Sequence, residues 1–105
     1  MKDPERTAYE VSGAGRAALT GALTFSTAAA LMPLGVTSIT KGQVTSIDLA
    51  AVTGADSAGL ALLIEWLSVA KAEGQSLHYE NVPAQLQQLA KLSDVEALLA
   101  GRAEA

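Results

Sequence analysis

No cysteine occurs among the 105 residues, and histidine occurs once, as His78. The first absence excludes a disulfide framework, a thiolate metal site and a cysteine nucleophile, and it suits a reducing compartment. The second excludes a cluster of histidine ligands, so neither a metal nor another cofactor is expected. Aromatic side chains are limited to Tyr9, Phe25, Trp66 and Tyr79, although 50% of the chain is apolar. The core must therefore be built mainly from Leu, Ala, Val and Ile, which favours helices packed on a small sheet.

Basic residues are also sparse. Seven Lys and Arg stand singly along the chain against eleven Asp and Glu, for a net charge of −4. With no basic stripe to follow phosphates, no nucleic acid is expected as a partner. No apolar run approaches the roughly 20 residues of a membrane span, and the opening MKDPERTAYE has no apolar core of signal-peptide length. A cytoplasmic protein is expected, reaching a membrane only through a partner. The length suits a single domain over residues 1–105.

What is present reads as an alternation of strands and helices. Thr7 to Val11 and Arg16 to Thr20 flank the turn-rich Ser12-Gly13-Ala14-Gly15 and predict a β-hairpin. Thr24 is placed to cap a short helix bearing Phe25, Ala28, Ala29 and Met32, which Pro33 and Gly35 should end. Gln43 to Ala50, with the β-formers Val44, Ile47 and Leu49, predicts a central strand covered on at least one face. Ala51 to Ala55, with Thr53 and Gly54, then predicts a tight loop.

Ser57 to Glu73 is the strongest helical segment, closed by Gly74. A last strand, QSLHYEN, leads to a helix over Pro83 to Leu92, and Ser93 with Glu96 forms a capping box for a final short helix. Arg102 to Ala105 reads as a tail. The order β, β, α, β, α, β, α, α predicts an α/β fold with a small mixed sheet, its hairpin followed by parallel strands.

On a helical wheel, Leu60, Leu63, Ile64, Leu67 and Ala70 share the face expected on the sheet. Leu62, Trp66 and Val69 form a second row beside it, wider than packing on one sheet requires. The C-terminal helix is expected to cover Leu62 and Val69. Trp66 either joins that packing or serves as a contact for another protein, since large aromatics dominate interface hot spots.

Before that helix stand Asp56 and Ser57. A serine there is expected to cap the helix through its hydroxyl, worth about 1 kcal/mol. The same helix end would stabilise a phosphate on Ser57, with Asp56 opposing it by like charge, so Ser57 is a candidate switch or contact point. Asp48 is placed near the same sheet end, as a cap for the following loop. A hydrolase is disfavoured because His78 lies on another strand with no triad spacing. Gly13-Ala14-Gly15 lacks the third glycine of a dinucleotide loop.

The stretch SIDLAAVTGADSAGLALLIEWLSVAKAEG resembles the signature of STAS domains, where a strand ending in Asp-Leu leads into Asp-Ser/Thr-x-Gly-Leu and a helix. LTGALTFSTAAAL upstream and LHYENVPAQLQQLAKLSDVEALL downstream resemble their counterparts in that family. The form DSAGLALL is most similar to the small STAS subunit of Mla-type ABC transporters, which move phospholipids across the Gram-negative envelope.

That resemblance implies a non-enzymatic protein with the STAS fold, sited at the cytoplasmic face of the inner membrane through its partner. It implies docking on the ABC transporter ATPase subunit through Asp56, Ser57, Ala58 and Gly59, extending to Leu62 and Trp66. Asp48, Thr53 and Gly54 would support the loop. The other relatives are anti-sigma-factor antagonists. They imply a different partner, an anti-sigma factor kinase that phosphorylates the serine matching Ser57.

Overall fold

Residues 7–99 are described by the structure, a computed structural model. Its elements are β1 (Ala8–Gly13), β2 (Arg16–Leu23), α1 (Phe25–Thr40), β3 (Ser46–Ala55), α2 (Ser57–Ala72), β4 (His78–Glu80), α3 (Ala84–Leu92) and α4 (Glu96–Leu99). The expectations for MKDPER and for 102–105 lie outside these residues. Among the described residues no helix is long and apolar enough to cross a membrane.

The hairpin forms because Gly13, Ala14 and Gly15 all adopt positive φ, a turn that two glycines make accessible. It joins β1 and β2 antiparallel, after which β2, β3 and β4 run parallel in the spatial order β1-β2-β3-β4. Ala17, Ile47 and Tyr79 pair across three strands and are all buried beneath the helices. On the other face Glu10, Ala18, Asp48 and Glu80 form a row that no helix buries. This asymmetry explains the strict alternation of exposure along β2, with Leu19 and Leu23 inward.

Three boundaries differ from the sequence expectation. The helix that Pro33 and Gly35 should have ended runs on to Thr40. Pro33 and Ala29 both lie on the exposed side of the helix, where water can satisfy the Ala29 carbonyl that the missing proline N–H leaves without a partner. Leu31, Gly35, Ser38 and Ile39 bury the opposite side, and that packing carries the helix through the proline.

The stretch Ala51 to Ala55 is strand rather than loop. Gly54 pairs with Ala22 and Ala55 with Leu23, beyond two irregularities in the β2–β3 register. Turn-forming residues are thus absorbed as bulges in a strand that β2 holds along its length. Finally, Ser93 closes α3 as its C-cap, and α4 starts at Glu96, so Ser93 opens no capping box. At the end of α2 Gly74 takes φ 69° just beyond the cap, as its type and place predict.

Candidate partner-facing site at two helix starts

The strands β2 and β3 end side by side, and each feeds a helix. Asp56 sits at that junction in extended conformation and caps α2 itself: its Oδ1 accepts from the N–H groups of Ala58 (2.9 Å) and Gly59 (3.1 Å). Its Oδ2 accepts from the N–H of Phe25, 3.1 Å away, at the start of α1. One carboxylate therefore satisfies orphan donors of two helices. These backbone bonds, that from Phe25 foremost, hold the Asp56 carboxyl below its ordinary pKa. The Asp56 N–H donates in turn to the Leu23 carbonyl (3.1 Å).

Ser57 therefore does not cap the helix, a correction to the expectation from sequence. It occupies the first helical position, exposed, and the N–H groups of Ala58 and Gly59 are taken by Asp56. Asp and Ser are both strong caps, and only the backbone conformation at residue 56 assigns the task to the first of the two. Gly59 is required for another reason. A Cβ there would overlap the Leu23 carbonyl, so the first turn of α2 approaches the end of β2 as closely as backbone allows.

The first turn of α1 is braced alongside. The Thr24 N–H donates to Thr27 Oγ1 (2.9 Å), and that hydroxyl lies 2.9 Å from the Ala22 carbonyl to which it donates. Thr24 is thus the N-cap residue, as expected. Phe25, grouped by its spacing with Ala28, Ala29 and Met32, is 83% exposed. Its place as the first helical residue turns it out of the stripe formed by Leu31, Gly35 and Ile39.

Leu62 and Trp66 are not surface residues. Trp66 is fully buried and Leu62 is 1% exposed, which removes both from the docking edge. For Trp66 the cover comes from α1 and from Tyr9. Trp66 Nε1 donates to the Met32 carbonyl (3.2 Å), its ring lies against Tyr9 with centroids 5.3 Å apart, and its indole occupies the space a Cβ on Gly35 would need. The longer α1 accounts for the wide apolar sector of α2.

Asp48 is also misplaced by the sequence reading. It lies near the start of β3, eight residues before Asp56 and so roughly 25 Å of strand away. Its Oδ1 accepts from the Ala50 N–H and from Asn81 Nδ2, each at 2.9 Å, and it supports the opposite sheet end. Thr53 and Gly54 do lie near the site, in the last residues of β3, where Gln85 Oε1 accepts from the Ala55 N–H (3.1 Å). Ala58 is half-buried in the first turn of α2. His78 pairs with Ser46 at the start of β3, so the chain's single imidazole stands at the far end from Ser57.

A four-stranded mixed sheet covered on one face by helices, with Asp-Ser-x-Gly at a strand-to-helix junction, defines a STAS domain. The family model described as "Mlab, STAS domain" matches residues 9–100, and the chain belongs to that family. No curated protein matches the chain. Among solved structures, the anti-sigma factor antagonist SpoIIAA in its unphosphorylated form aligns with TM-score 0.65 at 16% identity, covering 83% of both chains. The Bacillus cell fate determinant SpoIIAA in its phosphorylated form aligns with TM-score 0.66 at 17% identity, over 86% of this chain and 85% of that one. At such identity the likeness describes the fold.

Proposed function

We propose that this chain is a non-enzymatic accessory subunit that docks on the ATPase of an Mla-type ABC transporter and supports phospholipid transport, and with it outer-membrane lipid asymmetry. The observation that carries this reading is the match of residues 9–100 to the Mlab, STAS domain family. Its docking edge is the first turn of α2, where Ser57 is exposed and relieved of capping by Asp56. Docking there would hold the domain at the cytoplasmic face of the inner membrane without a membrane segment of its own.

Co-purification with the transporter ATPase from the same organism tests this. The complex is expected with the wild-type chain and is expected to weaken with Ser57→Glu, because a carboxylate replaces a neutral hydroxyl at a close contact. A chain that never associates with that ATPase ends the reading.

A second reading, an anti-sigma-factor antagonist switched by phosphorylation of Ser57, draws support from the same exposed hydroxyl. Since Asp56 holds the α2 cap, a phosphate on Ser57 would alter the surface without costing the helix its cap. Capture of a kinase-type partner, with one phosphate found on Ser57 by mass spectrometry, would favour this reading over the first.

A further inference from the structure

Helix α1 carries no ionisable side chain in its 16 residues, although one side of it faces outward. Phe25, Ala29, Ala30, Pro33 and Leu34 are exposed there, Phe25 at 83% and Leu34 at 50%. A helix face that meets only water ordinarily carries charge. In a chain with net charge −4, a charge-free outer face ending in a nearly free phenyl ring is suited to burial against another molecule.

We propose that Phe25 is the apolar anchor of the docking interface, inserted into an uncharged pocket of the same protein that contacts Ser57. The inference rests on the docking reading given above. Phe25 and Ser57 are the first residues of their helices, and a single carboxylate fixes them together: Asp56 accepts from the N–H of Phe25 at 3.1 Å and from those of Ala58 and Gly59 at 2.9 and 3.1 Å. From Phe25 through Met32, and from Ser57 through Leu60, no residue is ionisable. Asp56 between them has both oxygens engaged by backbone donors. The surface that a partner meets is therefore a phenyl ring flanked by methyls and hydroxyls beside the single exposed carboxylate of Asp56, and the part of the partner that receives Phe25 is a neutral apolar pocket.

Two other occupants fit less well. The outer face of α1 is about 24 Å long and about 10 Å wide, roughly 240 Å², against about 800 Å² per partner in a stable interface. Two copies joined through α1 alone would fall well short, whereas a surface continuing across Asp56 onto Ser57 and the exposed Ala61 extends the area. A lipid surface is disfavoured by charge, because an interfacial helix draws on Lys and Arg and α1 has none.

The full chain is titrated against the purified transporter ATPase from the same organism by calorimetry. Phe25→Ala is expected to weaken binding by about 10- to 100-fold with an unchanged melting temperature, and Phe25→Leu to restore much of it. If Phe25→Ala binds as tightly as the wild type while Ser57→Glu does not, the anchor is refuted and the docking reading stands. If the wild type does not bind the ATPase, both fall. Sedimentation and flotation with phosphatidylglycerol vesicles then say whether Phe25→Ala loses a dimer or a membrane contact, either of which overturns the proposed occupant.

Discussion

The indole of Trp66 occupies the volume that a side chain at Gly35 would fill. Because the indole N–H also donates to the Met32 carbonyl at 3.2 Å, the ring is locked against the backbone of α1 and cannot retreat. Gly35 is thus a packing residue in mid-helix, kept despite the roughly 1 kcal/mol of helix propensity it forgoes relative to alanine.

Gly35→Ala should therefore destabilise the protein, the added methyl outweighing the gain in propensity. Overpacking of this kind costs about 1 to 3 kcal/mol. Urea denaturation should show the midpoint falling with an unchanged slope. A rise in stability would mean that α1 and α2 separate more readily than the close contact implies.

Trp66 should emit as a buried indole in the isolated chain, resist aqueous quenchers, and shift to the red only on unfolding, since it is fully buried. Addition of the docking partner should leave its emission nearly unchanged. Trp66→Ala should cost about 3 to 5 kcal/mol, a large share of the roughly 5 to 15 kcal/mol that holds a small domain together. Circular dichroism melting of that variant checks it.

Asp56→Ala should lower the melting temperature clearly, because the N–H groups of Phe25, Ala58 and Gly59 all lose their acceptor. Ser57→Ala should leave it nearly unchanged, the serine having no part in the cap. Equal effects of the two substitutions would return the capping role to Ser57. Gly59→Ala should be the most harmful of the three, since its Cβ meets the Leu23 carbonyl and not a movable side chain.

Acid should weaken the fold through the same groups. Asp56 is held below its ordinary pKa chiefly by the Phe25 N–H, and Asp48 chiefly by the Asn81 side chain and then the Ala50 N–H. For a carboxyl depressed by folding, the stabilisation is fully present above the unfolded value of about 4. It is lost as pH falls through the folded value. Melting temperature should thus hold at neutral pH and drop below about pH 4. In the double variant Asp48→Asn, Asp56→Asn, whose amides each keep one accepting oxygen and do not titrate there, stability at neutral pH should be lower but the drop on acidification shallower.

The element order was legible from the sequence because apolar periodicity and turn residues act locally. The Gly-Ala-Gly turn, the Thr24 start of α1 and the Gly74 stop of α2 each depend on the conformational range of one or two residues. The site was legible in part. Asp56, Ser57, Ala58 and Gly59 do gather at a helix start, but which side chain caps it depends on the backbone entering the helix. Phe25 escaped notice because helical spacing alone joins it to Ala28, Ala29 and Met32, and nothing local says that the core begins one turn later.

By itself, then, the chain determined its class of fold and the place of its candidate site, since both follow from short-range patterns of apolar, capping and turn residues. Only the tertiary structure decided that α1 continues through Pro33, that Gly54 belongs to a strand, and that Trp66 is core while Phe25 is surface. Each of those outcomes turns on a neighbour distant in sequence: the buried side of α1 against the indole, β2 alongside the end of β3, and the Asp56 carboxylate reaching back to the Phe25 N–H. Packing and hydrogen bonds across 30 or so residues of chain outweigh the propensity of any one of them.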